Sequence, residues 1–92
     1  MKKHLGAKCA SKLMQRMMEL QAADTLSDIS YLPPARCHEL SGDRAGQFSV
    51  DVEHPYRLLF IPINDPLTLR EDGGIDREKV TEIQIIEIQD TH

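Results

Sequence analysis

The chain is poor in the residues that build large cores and cross-linked folds. It has no tryptophan, two phenylalanines, two tyrosines and two cysteines among 92 residues. This length and composition predict one small domain, residues 1–92, with a thin core. Two cysteines, Cys9 and Cys37, are too few for a disulfide framework. No apolar run suits a membrane span or a secretion signal, so we expect a cytoplasmic protein with reduced thiols and no membrane partner.

Charge is unevenly distributed along the chain. The 11 basic and 15 acidic residues give a net charge of -4, which argues against a general nucleic-acid binder. Basic residues nevertheless crowd the first sixteen positions, whereas residues 65–90 hold eight acidic and three basic residues. One end of the chain could face a polyanion and the other a basic partner. The alternative is two solvated faces of opposite sign.

Helical periodicity dominates the first third of the chain and predicts a helix over residues 7–23. Lys12, Arg16 and Glu19 fall largely off its apolar stripe. We expect the methionines of that stripe to fill the core rather than to form a ligand surface. The stripe consists of Ala10, Leu13, Met14, Met17 and Leu20.

After Pro33-Pro34, which excludes helix, the pattern changes to a period of two. Strands are predicted at residues 35–40, 47–53, 56–61 and 80–90, and 56–61 is the most apolar and therefore central. Phe48, Val50 and Val52 should point to one face of the sheet, and the alternate residues to the other. In the last strand the isoleucines change phase, which predicts either cover on both faces or a β-bulge.

Short links between successive strands favour an antiparallel meander. The sequence therefore predicts an α+β fold, in which a curved antiparallel β-sheet carries the N-terminal helix packed on one face.

One stretch of the chain carries a specific motif series. A strand ends in His38-Glu39-Leu40, and the turn Gly42-Asp43-Arg44-Ala45-Gly46 follows. Next come the strand Phe48-Ser49-Val50-Asp51-Val52, the segment Tyr56-Arg57-Leu58 and the ending Glu87-Ile88-Gln89-Asp90-Thr91-His92. In order, spacing and terminus, these motifs resemble the HigB-like toxins of the RelE/ParE toxin superfamily over roughly the last sixty residues.

The resemblance implies a toxin of a type II toxin–antitoxin system, acting as a ribosome-dependent mRNA endonuclease without a cofactor or metal. The implied partners are messenger RNA on the ribosome and a cognate helix-turn-helix antitoxin. Family members usually begin with a further strand, which this chain lacks ahead of its helix. Its absence should expose a sheet edge, so we expect a homodimer or a toxin–antitoxin complex.

The resemblance also implies site residues. His38, Arg57 and His92 correspond to the family's strand histidine, phosphate-holding arginine and terminal histidine, and are the predicted catalytic residues. Arg36 and Arg44 are the predicted RNA- and phosphate-binding residues. Each has a structural alternative.

The alternatives are specific for three of these residues. His38 could be a surface histidine on a strand. Arg57 could be a core-edge arginine paired with Asp51 or Glu53. His92 could belong to a frayed chain end.

Two departures from the family leave the activity open. Ser41 stands where the family often has lysine, and Thr91 replaces its penultimate tyrosine. Loss of a positioned cation can cost on the order of a hundredfold in rate. The competing hypothesis is a catalytically degenerate relative that binds an antitoxin or acts as a co-repressor. A metal site built from His4, Cys9, Cys37 and His38 is not expected, because the paired spacings of zinc sites are absent.

Overall fold

The computed structural model describes residues 6–90. Helix α1 spans Gly6–Ala22 and precedes four strands, β1 (His38–Glu39), β2 (Phe48–Asp51), β3 (Tyr56–Pro62) and β4 (Ile83–Asp90). Short 3₁₀ turns lie at Leu26–Asp28, Gly42–Arg44 and Arg77–Lys79. The α+β fold is therefore as predicted, although β1 is only two residues long.

The four strands form one antiparallel sheet in the order β1-β2-β3-β4. Strand β3 has neighbours on both sides, and its consecutive residues Leu58, Leu59 and Phe60 are 1%, 0% and 0% exposed. Consecutive strand residues point to opposite faces, so both faces of the sheet are covered at this point. The apolar run at residues 56–61 thus marked the central strand correctly.

Strand β2 follows its predicted phase. Phe48, Val50 and Val52 are buried in the main core, where the Phe48 ring stacks on Phe60 at a centroid distance of 5.8 Å. Ser49 points to the other face of the sheet and is also fully buried. It lies between His38 and Leu59 in the cross-strand register, so the second sheet face has a covered centre as well.

Strand β4 contains the β-bulge that its isoleucines predicted. Leu59 pairs with Glu87 and Phe60 pairs with Ile85, so Ile86 is the extra residue. The bulge brings Ile85 and Ile88 onto the same face of the sheet even though they are three residues apart. Cover on both faces, the other alternative, does not apply, because Ile85 and Ile86 are exposed.

Helix α1 packs on the sheet through a different stripe from the one predicted. Cys9 and Arg16 are its buried residues, and Leu13 and Leu20 are partly buried against the core. Met14 and Met17 were expected in the core, but they are 61% and 42% exposed. Ala10, which belongs to the same predicted stripe, is exposed as well.

Arg16 explains why the helix turns this other stripe toward the sheet, because hydrogen-bond acceptors for its guanidinium lie inside the fold. Its Nε donates to the Asp51 carbonyl oxygen at 2.8 Å, and its Nη1 lies 3.2 Å from a Glu19 carboxylate oxygen. An arginine whose hydrogen bonds are satisfied in this way can face the core, although the periodicity placed Arg16 outside the apolar stripe.

Arg77 connects residues 63–82 to the residue that precedes β1. Its Nη2 donates to the Cys37 carbonyl at 2.8 Å, and its guanidinium carbon lies 5.7 Å from the centroid of the Phe48 ring.

Cys9 and Cys37 are both unpaired and buried. Among residues 6–90, no helix has the length and apolarity required to cross a bilayer.

Candidate active site

The β2–β3 hairpin and the segment leading into β1 enclose a cleft of about 520 Å³. It combines two arginines, two histidines, a tyrosine and one carboxylate, a set suited to binding and reacting with a phosphodiester. The cleft is lined by Pro33, Pro34, Arg36, His38, Asp51, Val52, His54, Pro55, Tyr56 and Arg57.

The sheet's second face positions these side chains in two rows. Antiparallel partners lie on the same face, so His38, Ser49, Leu59 and Glu87 form one row across the four strands. Asp51, Arg57 and Gln89 form the next row on that face. The opposite face carries Phe48, Val50 and Leu58 of the core. The alternation of each strand thus separates the cleft's chemistry from the core.

His38 is exposed but held at both ring nitrogens. Its Nδ1 lies 3.0 Å from the Arg36 carbonyl oxygen, which can only accept, so Nδ1 carries a proton. Its Nε2 lies 3.4 Å from the Ser49 hydroxyl. In the neutral ring this leaves Nε2 as the unprotonated nitrogen, with Ser49 Oγ as a weak donor to it. The ring is therefore arranged to take up a proton at Nε2.

Arg36 adopts a backbone conformation that few side-chain-bearing residues adopt. Its φ is 49°, in the left-handed region, and it directly precedes the buried Cys37. Backbone hydrogen bonds from Arg36 N to Leu32 O and from Cys37 N to Ser30 O, at 3.0 and 2.9 Å, hold this turn. Such conformations cost of order 1–3 kcal/mol and cluster at functional sites.

The Arg36 side chain is exposed and lies 3.6 Å from the Asp51 carboxylate, measured from Nε. Asp51 in turn sits opposite Arg57 across the β2–β3 ladder. The Asp51 carboxylate therefore lies between the two arginines of the cleft. Their two positive charges exceed its single negative charge.

Arg57 donates from Nε to the Gln89 amide oxygen at 2.9 Å. Asp51 and Glu53, its predicted acidic partners in the structural alternative, pair instead with Arg36 and with Lys8, each at 3.6 Å. A neutral amide orients the guanidinium without cancelling its charge, so Arg57 retains its capacity to bind an anion.

Arg44 is not brought into the cleft. Its Nη1 lies 3.4 Å from a Glu87 carboxylate oxygen and 3.3 Å from Gln47 Oε1. It therefore bridges the 3₁₀ turn after β1 to strand β4, beside the row that contains Leu59. The turn motif gave no indication of this acidic partner, because Glu87 is distant in the sequence.

His54 and Tyr56 are lining residues to which the sequence assigned no role. They flank Pro55 in the β2–β3 turn, and the hairpin folds them toward His38 and Arg57. Tyr56 belongs to the Tyr56-Arg57-Leu58 motif of the sequence, whereas the only signal for His54 was its position two residues before that motif. Because histidine is the usual proton carrier near neutral pH, His54 is a candidate second proton carrier of the cleft.

His92 lies outside the described residues. The last described residue of the chain, Asp90, is the cross-strand partner of Tyr56.

Cys37 and His38, which are adjacent in sequence, face opposite ways, since Cys37 is buried in the core and His38 is exposed in the cleft.

Comparison of the chain with protein-family models and with curated proteins finds no match in either. The resemblance to HigB-like toxins therefore remains a prediction from the motifs.

Proposed function

We propose that this chain is the toxin component of a type II toxin–antitoxin system and cleaves messenger RNA on the ribosome, as HigB-type toxins do. The observation that carries the proposal is the cleft itself. It gathers Arg36, His38 and Arg57, three of the five predicted site residues, from separate segments of the chain. It adds His54 and Tyr56, which extend the same chemistry.

The proposed reaction is attack by a ribose 2′-hydroxyl on the neighbouring phosphate, with release of the 5′-oxygen of the next nucleotide. Nε2 of His38 accepts the proton of the attacking hydroxyl. Arg36 and Arg57 bind the phosphate and stabilise the charge that develops on its oxygens. A second histidine gives a proton to the leaving oxygen, and His54 and His92 are the candidates.

Under this proposal the protein works in the cytoplasm, because its substrate is ribosome-bound messenger RNA. A cognate helix-turn-helix antitoxin restrains it. The net charge of -4 suits a protein that recognises one local phosphate at a cleft rather than a nucleic-acid backbone over a long distance.

A second candidate is a degenerate relative that binds an antitoxin but no longer cleaves RNA. Asp51 favours this candidate, because its carboxylate pairs with Arg36 and competes with an incoming phosphate. Ser41, which directly precedes the 3₁₀ turn at Gly42–Arg44, supplies no cation where the family often has lysine.

Cleavage of messenger RNA in a bacterial translation extract, mapped by primer extension, tests the two candidates. We compare the wild-type chain with His38→Ala and Arg57→Gln, and use Lys79→Ala as a control on the distant 3₁₀ turn. The endonuclease proposal requires that the wild type and the control make ribosome-dependent cuts. It also requires that the cleavage rate of both cleft variants fall by about a hundredfold or more. If the folded wild type makes no cuts, the endonuclease proposal fails and the binding module is favoured.

A further inference from the structure

The solvent-facing side of α1 carries almost no charge. Eleven of the helix's seventeen residues are exposed, and Lys8 is the only charged one among them. Met14, Met17 and Met18 are 61%, 42% and 62% exposed. A helix covered on one side by its own domain normally presents charged and polar residues to water.

The exposed methionines belong to a continuous apolar surface. On one side of the helix, Met17 and Leu20 form a shallow hollow with Ile83 and Ile85 of β4. On the other side a second hollow is formed by Ser11, Met14, Gln15, Met18, Glu19 and Ala22. Single exposed apolar residues are ordinary, but a contiguous group of this kind marks an interaction surface. We call the helix residues Met14, Met17, Met18 and Ala22 the methionine face.

The charges beside the methionine face change sign along the helix. Lys8 and Lys12 belong to its N-terminal half, whereas Glu19 lies near its C-terminal end and Asp24 just beyond it. Lys8, Lys12 and Glu19 are spaced by four and seven residues, so they lie on the same flank of the helix. Among the described residues Lys8 pairs with Glu53 and Glu19 pairs with the buried Arg16, whereas Lys12 is in no ion pair.

We propose that the methionine face binds the same face of a second copy of this chain, with the two α1 helices antiparallel. A two-fold axis near Gln15 places Met14 of each copy against Met17 and Met18 of the other. The same axis sets the charged flanks side by side, so that Lys12 of one copy lies opposite Glu19 of its mate. The surface is thus complementary to itself in the order of its charges and in the position of its apolar residues, as an isologous interface requires.

Other arrangements use these residues less well. Parallel packing about a two-fold axis would put the charged flanks of the two copies on opposite sides of the interface, where Lys12 of one copy could not meet Glu19 of the other. A partner helix of one charge sign would match only one half of the flank. The proposal does not depend on the RNA-cleaving function, since none of its residues lines the cleft.

Sedimentation equilibrium of the full chain, from micromolar to millimolar concentration, tests the proposal. We expect a monomer–dimer equilibrium that the double variant Met14→Lys/Met18→Lys abolishes without unfolding the protein, because both side chains are exposed. Leu69→Lys, also at an exposed apolar residue, is the matched control and should dimerise normally. A wild-type chain that stays monomeric throughout, or a double variant that dimerises as well as the control, would overturn the proposal.

Charge reversal and cross-linking test the orientation. Lys12→Glu should weaken the dimer about tenfold, whereas Lys79→Glu should not. Gln15→Cys should form a disulfide-linked dimer on oxidation, because the two-fold axis brings it next to its own copy and both native cysteines are buried. Gln84→Cys, on the edge strand β4, is the control. Cross-linking through Gln84 but not Gln15 would assign the dimer to the sheet edge and refute the helical interface.

Discussion

Arg16 of the helix donates from Nε to the Asp51 carbonyl oxygen at 2.8 Å, while the Asp51 carboxylate pairs with Arg36 in the candidate cleft. The last residue of β2 therefore connects α1 to the candidate site. The Arg16 guanidinium is almost fully buried and also contacts the Glu19 carboxylate. This arrangement couples the packing of the helix to the geometry of the cleft.

Replacing Arg16 by leucine should destabilise the protein by about 2 kcal/mol, because a buried carbonyl loses its charged donor and Glu19 loses its partner. Urea unfolding followed by circular dichroism measures the effect. Arg70→Leu, at an exposed arginine, should change the free energy of unfolding much less. Equal effects of the two substitutions would show that Arg16 does not anchor the helix.

Substitutions of Arg36 should affect stability and function differently, because the backbone conformation of this residue favours glycine. Because its φ is 49°, Arg36→Gly should keep or raise the free energy of unfolding, by up to about 1 kcal/mol, whereas Arg36→Ala should not. Both variants should lose RNA cleavage if the side chain binds phosphate. Unfolding and cleavage are measured on the same preparations. An active Arg36→Gly would remove this residue from the proposed site.

The strands could be predicted from sequence because their periodicity records burial directly. Phe48, Val50 and Val52 alternate with less apolar residues, and the change of phase between Ile85 and Ile88 marked the bulge. Burial of Ser49 could not be foreseen, since it depends on which residues lie across the ladder.

The helix and the cleft show where sequence patterns become insufficient. Two helical stripes share Leu13 and Leu20, and the pattern favoured the one containing methionines. The structure uses the stripe with Arg16, because an acceptor at Asp51, thirty-five residues away, satisfies the guanidinium. Likewise, only the hairpin fold reveals that His54 and His38 line the same cleft. Long-range partners of polar residues leave no periodic signal.

Asp51 should limit the affinity of the cleft for anions. Asp51→Asn removes the carboxylate beside Arg36 while keeping the backbone carbonyl that Arg16 uses. We expect severalfold tighter binding of a short RNA oligonucleotide, measured by fluorescence anisotropy, and a steeper salt dependence. Asp43→Asn removes the same charge from an exposed turn and is the control. The proposed cleft would be the wrong site if both variants bound RNA equally.

Cys37 should make the stability of the fold fall at alkaline pH. Burial raises the pKa of this thiol above its ordinary value, with Arg77 opposing the shift. A thiol whose pKa is higher in the folded than in the unfolded state stabilises the fold fully below the unfolded pKa. That contribution declines once the pH exceeds the unfolded value, about 8.5, and is lost as the pH rises through the folded pKa.

We measure the free energy of unfolding of the wild type and of Cys37→Ala under reducing conditions, from about pH 7 to about pH 10. The substitution leaves a small cavity and should lower stability by about 1 kcal/mol at neutral pH. Because the variant lacks the thiol, the difference between the two proteins should shrink as the pH rises. Cys9→Ala, at the other buried cysteine, controls for the loss of a buried sulfur. A difference between wild type and Cys37→Ala that stays constant with pH would mean that the thiol is not perturbed by its surroundings.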